Sequence, residues 1–285
     1  MVQTNEGVLL AAANPEGVYR SADRGQTWNM VHPSGSGWCC WTLAVSPING
    51  DVYLGGNLLR RSTDGGVTWE DLPWYSLPSG PGWDPNAVAV DGKGRVYVGC
   101  PNGVLRTNNN GQNWEILMQD DLNKWVVNIA FGPSDCEIYA YSGGTGLYRS
   151  LDDGSSWTLI KAVPSFASGA PMVVTPKGTI IGSFWAEDHT NWLYRSTDSG
   201  NTWSVMYYWG AMAFTLGGDG RVFMTQYGGQ VSSSQDDGAS WTPLGGSDRH
   251  IIPFALALDS DGYLSGGISG VGVWRSVQPI LPASP

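Results

Sequence analysis

The chain has 285 residues, a formal net charge of −10 and 40 glycines, and only 14% of its residues are charged. This acidic balance argues against a nucleic-acid partner, because a phosphate backbone is bound by clusters of Lys and Arg. The sequence lacks an apolar stretch of about 18 residues, so no membrane-spanning helix is predicted. Frequent glycines and turn signals favour short strands and an all-β fold.

The first feature met along the chain is an octapeptide with the pattern S-x-D-x-G-x-[ST]-W. Its six copies begin at Ser21, Ser62, Thr107, Ser150, Ser196 and Ser234, and each ends on a tryptophan. Each copy lies between two short apolar runs, which predicts a hairpin turn. The Asp can accept backbone N–H groups, and the Gly can adopt a positive φ. In the third copy Asn109 replaces Asp, so we expect the same turn with a neutral acceptor. We predict that the tryptophans anchor the turns to the core and are structural.

The segments between the octapeptides also repeat, and each contains four predicted strands. In one example, 113–117 is an outer strand, 126–131 an inner strand and 137–141 a second strand, before a strand that leads into the next octapeptide. A repeat of about 42 residues with four antiparallel strands predicts a β-propeller. A seventh leading strand at 272–276 lacks its turn. The prediction is therefore one domain, residues 1–285, with seven four-stranded blades; six blades are the alternative.

The two ends of the chain bear on how the propeller closes. The chain begins at a predicted second strand, 8–12, and only residues 277–285 follow the last predicted third strand. We therefore expect the two termini to share one or two blades and close the ring, which would leave no free sheet edge. Residues 1–6 lack a basic start and an apolar core, so no signal peptide is predicted.

Four cysteines leave two alternatives open. Cys39 and Cys40 are adjacent, while Cys100 and Cys136 stand alone, so neither a zinc-ligand spacing nor any other metal site is predicted. The cysteines are either small buried apolar side chains or include a disulfide from Cys39 or Cys40 to Cys100. No cofactor is expected.

The octapeptide resembles the Asp-box of sialidases and other Asp-box β-propellers, and Gly17 to Gly25 is similar to the repeat of xyloglucan-cleaving glycosidases. The resemblance implies a site on the face opposite the octapeptide turns, around the central channel. For a sialidase it also implies three arginines that hold a carboxylate. Most arginines share one position in the leading strands instead, and we predict that they pair with neighbouring blades or turn carbonyls; they are Arg20, Arg61, Arg106, Arg149, Arg195 and Arg275. A sialidase is therefore not predicted.

Loops on that opposite face are rich in aromatic residues. Aromatic rings can stack on sugar rings while amides and carboxylates bind the hydroxyls, which favours a glycan ligand. The alternative is that individual tryptophans fill the channel or cap contacts between blades. The predicted ligand-binding residues are Trp38, Trp83, Trp125, Trp185, Trp192, Tyr208, Trp209, Tyr227, Arg249 and His250.

One loop on this face also carries candidate catalytic groups. Glu187 and Asp188 lie in the long loop 183–192, and Asp84 is a candidate partner across a cleft. A solvated acidic turn is the simpler interpretation of this loop.

Three hypotheses follow from these features. The first is a lectin-like or receptor-binding propeller that binds a glycan or polysaccharide. The second is a glycoside hydrolase or polysaccharide lyase that uses the carboxylates named above. The third is a non-catalytic scaffold that binds protein in an extracellular or viral assembly. An extracellular or surface location is expected.

Overall fold

A computed structural model of the chain is built from β-strands and turns, and the residues that it describes contain no helix, so none of them forms a helix that could span a membrane. The described residues are 1–13, 16–33, 42–73, 85–119, 125–163, 171–186, 190–208, 210–226, 228–246, 253–268 and 272–281. The predicted all-β class is confirmed.

The strands form seven antiparallel sheets, and each sheet is built from strands that are consecutive in sequence. We call these sheets blades 1 to 7. Within the described residues, six blades have four strands and blade 7 has three. The prediction of seven blades rather than six is confirmed, because the described strands form seven sheets. In six of these sheets an octapeptide joins the third strand to the fourth.

The chain divides into two compact units. Unit 1 comprises 1–129, 140–142 and 150–157, and unit 2 comprises 130–139, 143–149 and 158–285. Blade 4 contributes residues to both. Blades 1 to 3 lie in unit 1 and contain β1 (Val2–Gln3), β2 (Leu9–Ala13), β3 (Gly17–Ser21), β4 (Asn29–Pro33), β5 (Thr42–Val45), β6 (Val52–Gly55), β7 (Arg60–Ser62), β8 (Glu70–Asp71), β9 (Ala87–Val90), β10 (Val96–Cys100), β11 (Gly103–Thr107) and β12 (Glu115–Gln119).

Blade 4 and the blades of unit 2 continue the same order along the chain. Their strands are β13 (Trp125–Phe131), β14 (Ile138–Gly143), β15 (Gly146–Ser150), β16 (Thr158–Ala162), β17 (Met172–Val174), β18 (Ile180–Trp185), β19 (Asn191–Ser196), β20 (Ser204–Tyr208), β21 (Ala211–Leu216), β22 (Val222–Gln226), β23 (Gln230–Ser234), β24 (Thr242–Gly246), β25 (Pro253–Leu258), β26 (Leu264–Ile268) and β27 (Gly272–Arg275).

The two ends of the chain are held differently from the expectation of a shared blade. The innermost strand of blade 1, which the sequence did not reveal, is β1, and Val2 pairs with Leu10. After β27 the chain turns back, and the amides of Ile280 and Leu281 donate to Gly262 O at 2.8 and 3.3 Å. The Leu281 side chain is buried in the apolar cluster of blades 6 and 7. The described C-terminal residues are thus fixed by hydrogen bonds and burial within unit 2 rather than by strand pairing.

Each octapeptide closes on itself through short hydrogen bonds. In the second copy, Ser62 Oγ donates to Asp64 Oδ1 at 2.7 Å and accepts from the Gly66 amide at 2.8 Å. The Thr68 amide and hydroxyl donate to the Asp64 carboxylate at 2.9 and 2.6 Å. In the third copy the Asn113 amide donates to Asn109 Oδ1 at 2.9 Å, so the predicted turn with a neutral acceptor is confirmed.

These hydrogen bonds also set the charge of the turn carboxylates. In the first copy, hydrogen bonds from the hydroxyl and amide of Thr27 and the hydroxyl of Ser21 lower the pKa of Asp23 to about 2. The carboxylate remains ionised at neutral pH, and its oxygens are occupied by its own turn. This agrees with the prediction that the octapeptide carboxylates are structural.

The fourth residue of every octapeptide has a positive φ, which the sequence did not reveal. Non-glycine residues hold it in five copies; they are Arg24, Asn110, Asp153, Ser199 and Asp237, with φ between 53° and 61°. In several copies the carbonyl of this residue accepts a hydrogen bond from the leading-strand arginine of the preceding blade: Arg20 Nε to Gly65 O at 2.9 Å, Arg106 Nη1 to Asp153 O at 3.0 Å, and Arg195 Nε to Asp237 O at 2.7 Å. The prediction that these arginines pair with turn carbonyls is confirmed for these positions.

Replacing Ser62 by Ala is expected to lower the free energy of unfolding by about 1–2 kcal/mol, because the buried Gly66 amide loses its acceptor. Urea unfolding measures this loss. Ser155→Ala is the control, since Ser155 is an exposed octapeptide residue and should change stability by less than about 0.5 kcal/mol. Equal effects of the two variants would contradict the role assigned to Ser62.

Candidate functional site

The structure describes only part of the predicted site. It describes the side chains of Trp125, Trp185 and Trp192, and the backbone of Tyr208. The other predicted site residues lie outside the described residues and stay predictions: Trp38, Trp83, Asp84, Glu187, Asp188, Trp209, Tyr227, Arg249 and His250.

The hairpin of β18 and β19 forms the described part of the site in unit 2. Its register pairs Trp185 with Asn191 and Phe184 with Trp192. The Ala186 amide donates to Thr190 O at 2.8 Å, which closes the hairpin. Because β19 runs from this hairpin to the octapeptide that begins at Ser196, the two turns lie at opposite ends of blade 5. Trp185 therefore lies at the end of the blade where the candidate site is predicted.

A tryptophan and an amide share one face of this hairpin. Trp185 lies directly opposite Asn191, so both side chains leave the sheet on the same side. Ser183 lies two residues before Trp185 on that side, and its hydroxyl donates to Asn191 Oδ1 at 2.6 Å. Both Trp185 and Asn191 are half-buried. Among the described residues Asn191 Nδ2 has no acceptor, so an amide donor stands beside the indole.

Gly210 fixes the position of this amide. Its backbone amide donates to Asn191 O at 2.9 Å. A Cβ at Gly210 would lie 1.8 Å from Ser183 Oγ and 2.3 Å from Asn191 Oδ1, so only glycine permits this close approach. The chain at Gly210 thus packs tightly over the Ser183–Asn191 pair and holds it in place.

Trp192 lies on the other side of the same sheet, because it pairs with the buried Phe184. The Phe184 ring contacts the rings of Tyr194 and Trp203, with centroids 5.9 and 5.7 Å apart. This side therefore belongs to the packed interior of unit 2. Trp185 and Trp192 do not form one shelf, because the register places them on opposite sides of the sheet.

Lys161 is a cation on this packed side that the sequence did not point to. Its Nζ lies 3.7 Å from the centroid of the Tyr194 ring and 5.4 Å from that of Trp203. Burial lowers the pKa of Lys161. The aromatic rings offset part of the cost of burying the ammonium.

Trp125 presents an exposed indole in unit 1. It is the first residue of β13, and 46% of its surface is exposed. The next residue, Val126, is fully buried, and its Cγ1 would lie 2.7 Å from a Cβ at Gly99. Val126 thus anchors the start of the strand while the indole of Trp125 stays available to a ligand.

The described arginines are engaged elsewhere. Those bound to carboxylates are Arg60, Arg61, Arg95, Arg106, Arg221 and Arg275. Arg20, Arg149 and Arg195 donate to backbone carbonyls. Arg24 lies within the first octapeptide. The described part of the chain therefore provides no arginine triad that could hold a sugar carboxylate.

The structure describes two of the four cysteines, Cys100 and Cys136, whereas Cys39 and Cys40 lie outside the described residues. Cys100 is a free, buried thiol, and its Sγ donates to Gly103 O at 3.2 Å. Burial raises its pKa to about 12, so the thiol is neutral. Of the two alternatives for Cys100, the buried apolar side chain holds and the disulfide does not. The described residues contain no cluster of three or more metal-ligating side chains.

Sequence reasoning missed Asn191 and Ser183, because their place in the site depends on the register between β18 and β19. Asn191 and Ser183 lie in the loop region singled out from sequence, but their contact with each other and their place beside Trp185 depend on the length of the 186–190 turn. No local signal could have assigned them, because a shift of one residue would move each to the opposite side of the sheet.

Comparison with known proteins gives distant relatives of two kinds, while no family model matches the chain. The chain is 26% identical over 253 residues to a xyloglucanase of Hypocrea jecorina, and the match covers 67% of the chain and 29% of the enzyme. It is 25% identical over 247 residues to the photosystem II assembly lipoprotein Ycf48 of Synechococcus sp., and this match covers 79% of the chain and 68% of Ycf48. The chain thus spans less than a third of the xyloglucanase.

Solved structures show the same fold. The GH74 xyloglucanase of Xanthomonas campestris superposes with a TM-score of 0.71 at 19% identity, over 98% of this chain and 51% of the enzyme. YCF48 bound to D1 peptide gives 0.71 at 18% identity, over 97% and 90% of the two chains. The virginiamycin B lyase of Staphylococcus aureus gives 0.73 at 15% identity, over 96% and 92%. The chain has a seven-bladed β-propeller fold that resembles those of GH74 xyloglucanases and Ycf48.

Proposed function

We propose that the protein binds an uncharged glycan chain without cleaving it. The observation that carries the proposal is the indole of Trp185 beside the fixed amide of Asn191, at the end of blade 5 opposite the octapeptide turn. An indole face can stack on the C–H face of a sugar ring, while the amide donates to a ring hydroxyl. Unit 1 separately carries the exposed indole of Trp125.

The charged groups of the chain favour an uncharged ligand. The described arginines bind carboxylates or backbone carbonyls or, like Arg24, lie within an octapeptide turn. The chain carries a net charge of −10, which disfavours an acidic polysaccharide. The relatives named xyloglucanases support a polysaccharide as the ligand class. A glycan partner is also consistent with the expected extracellular or surface location.

Trp185→Ala is expected to weaken glycan binding about tenfold, because the stacking contact is worth roughly 1–1.5 kcal/mol. A glycan array would first identify the ligand among neutral and acidic polysaccharides, and calorimetry would then measure affinity. Val205→Ala is the control, since Val205 lies exposed on the outer strand of the same blade and should leave the affinity unchanged. An array without neutral glycan hits, or equal affinities of the two variants, would count against the proposal.

A second candidate is a glycoside hydrolase, which the xyloglucanase relatives favour. It would need two carboxyl groups about 5–9 Å apart across the bound chain, and Glu187, Asp188 and Asp84 are the candidates. Release of reducing ends from xyloglucan and related polysaccharides, abolished by Glu187→Gln with Asp188→Asn, would support it. Binding without any release would leave the non-catalytic function.

The third candidate is a scaffold that binds protein, and Ycf48 favours it because the match extends over 68% of that assembly protein. A protein partner would use the same aromatic loops in place of a sugar. A negative glycan array combined with loss of protein binding in Trp185→Ala would favour this candidate over the first.

A further inference from the structure

Blade 7 ends on an open strand, and this edge differs from the corresponding edges of the other blades. Its sheet has the order β25-β26-β27 and lacks the fourth strand that closes every other blade among the described residues. The described residues that follow β27 do not supply this strand, because 277–281 turn away and are held at Gly262. The third strand β27 is therefore the outer edge of the sheet.

The sequence of β27 is that of a third strand, which in the other blades pairs with a fourth strand. Gly272-Val273-Trp274-Arg275-Ser276 matches Gly17-Val18-Tyr19-Arg20-Ser21 of blade 1 position by position, with only an aromatic exchange. In blade 1 this segment pairs with β4, and Tyr19 lies opposite Met30. Blade 7 thus keeps the leading strand while the octapeptide and the strand after it are missing.

The first glycine of β27, Gly272, also lacks the close contact with a fourth strand that the corresponding glycines of other blades make. At Gly17, Gly103 and Gly146, φ lies between 134° and 143°, and an added Cβ would be 1.8 to 2.2 Å from a carbonyl oxygen of the fourth strand. The glycine is needed there because the fourth strand approaches so closely. Gly272 has φ of 125°, and an added Cβ would meet no atom of the described residues within 4 Å. Gly272 thus keeps the positive φ of the other three glycines, but no described fourth strand lies beside it.

The edge also lacks the bulge that is found where the third and fourth strands of five other blades pair. The pairing of third and fourth strands shifts register in blades 1 and 3 to 6, as at Val18/Tyr19 and Leu147/Tyr148. Such a bulge discourages further strands from adding to an edge. The pairing of β26 with β27 is continuous from Ser265↔Arg275 to Ile268↔Gly272. β27 is thus a regular edge without a bulge.

The direction of its free amides follows from the ladder. The Ser276 amide donates to Leu264 O on β26 at 2.9 Å. Because backbone N–H groups alternate sides along a strand, the amides of Val273 and Arg275 point to the open side. The edge therefore offers donors to an incoming strand.

We propose that the β27 edge, Gly272–Arg275, is a docking site for an extended segment of a partner protein, which adds as the fourth strand of blade 7. The fourth strands of the other blades indicate which side chains this segment should carry. The residue opposite the position of Trp274 is aliphatic in four of them: Met30, Ile116, Leu159 and Val205. The partner segment carries an aliphatic residue there and is not acidic, since the chain has a net charge of −10.

The chain's own fourth strands provide the probe. A blocked, fluorescent peptide with the sequence of residues 157–162, Trp-Thr-Leu-Ile-Lys-Ala, is expected to bind saturably by anisotropy and to slow amide exchange at 272–275 about fivefold or more at saturation. The same peptide with Leu159→Pro is expected to bind at least about tenfold more weakly, since the ring disrupts strand pairing. Saturable binding of both peptides with equal affinity, or no binding, would overturn the proposal.

Two protein variants locate the site. Val273→Pro removes an outward amide and is expected to weaken peptide binding about tenfold, while Val277→Pro, at a residue 98% exposed beyond the strand, is the matched control. The peptide variant keeps the test valid should Val273→Pro fail to fold. Exchange protection at 272–275 that appears with protein concentration alone, together with a dimer in sedimentation, would replace the partner by a second copy and overturn the proposal.

Discussion

Replacement of Gly103 by Ala is expected to lower the free energy of unfolding by about 3 kcal/mol or more. Gly103 opens β11 with φ of 141°, a conformation that strains a residue with a Cβ, and this Cβ would lie 1.8 Å from Met118 O. The clash is with backbone, so relief requires that β11 and β12 separate. Unfolding in urea, followed by tryptophan fluorescence, measures the loss.

Substitutions at two further glycines separate the effect of backbone strain on stability from the effect of the steric clash. Gly92→Ala, in the same unit, should change stability by less than about 0.5 kcal/mol, because an added Cβ there meets nothing within 4 Å and φ is ordinary. Gly272→Ala has the strained φ without the clash and should cost about 1–2 kcal/mol. A loss at Gly103 no larger than at Gly272 would show that the fourth strand does not press on the glycine.

Replacement of Asp153 by Asn is expected to lower the free energy of unfolding at pH 7 by about 2 kcal/mol, a value reduced for the partial exposure of the carboxylate. Asp153 Oδ2 lies 2.8 Å from both Arg95 Nη1 and Arg106 Nη1, and the two arginines also flank the Tyr97 ring. Asn keeps the tolerance for the positive φ of 61° at this position but removes the charge. Both guanidinium groups then lose their shared carboxylate.

This effect should depend on pH. The hydrogen bond from Arg95 and the charge of Arg106 lower the pKa of Asp153. The stabilisation is therefore complete above the unfolded pKa of about 3.9 and is lost as the pH falls through the folded pKa. The difference between wild type and Asp153→Asn should be full at pH 7 and should shrink below about pH 4; urea unfolding at pH 7 and pH 3 measures it. A difference that does not vary with pH would contradict the charge-based explanation.

Asp237→Asn is the matched control for Asp153. It occupies the same octapeptide position with φ of 53°, but its only ion pair in the described structure is with Lys177, whose side chain is 73% exposed. An exposed pair of this kind contributes little, so a loss below about 0.5 kcal/mol is expected. A loss as large as that of Asp153→Asn would indicate that the octapeptide position itself, and not the arginine pair, carries the effect.

Much of the architecture was predictable because the octapeptide is a local structure. Its hydrogen bonds join residues at most four positions apart, as in Ser62, Asp64 and Thr68, so eight residues carry the whole turn. The recurrence of that turn then fixes the strand pairs on either side of it. The positive φ of the fourth residue escaped prediction because glycine and four different side chains, including those of Arg24 and Ser199, occupy it. The six copies share a backbone conformation there, which side-chain identity does not encode.

The candidate site was predictable only in its residue types. Sequence placed Trp185 and Trp192 in one aromatic group, whereas the register of β18 and β19 sends them to opposite sides of the sheet. Their alternation depends on which residues pair across the hairpin, and that depends on a turn with no fixed motif. The contact of Gly210 with Asn191 likewise joins β19 to the segment between β20 and β21, which sequence reasoning could not pair.

The sequence by itself determined the all-β class, the seven repeats and the chemistry of the octapeptide turns, since each follows from short-range hydrogen bonding repeated along the chain. It also indicated the structural role of the leading-strand arginines, because they recur at one position of the repeat. Tertiary structure alone decided that β1 completes blade 1, that Trp185 stands beside Asn191, and that blade 7, among the described residues, ends on an open edge at Gly272. These features depend on which segments pair and in which register, and pairing is set by packing rather than by local residue preference.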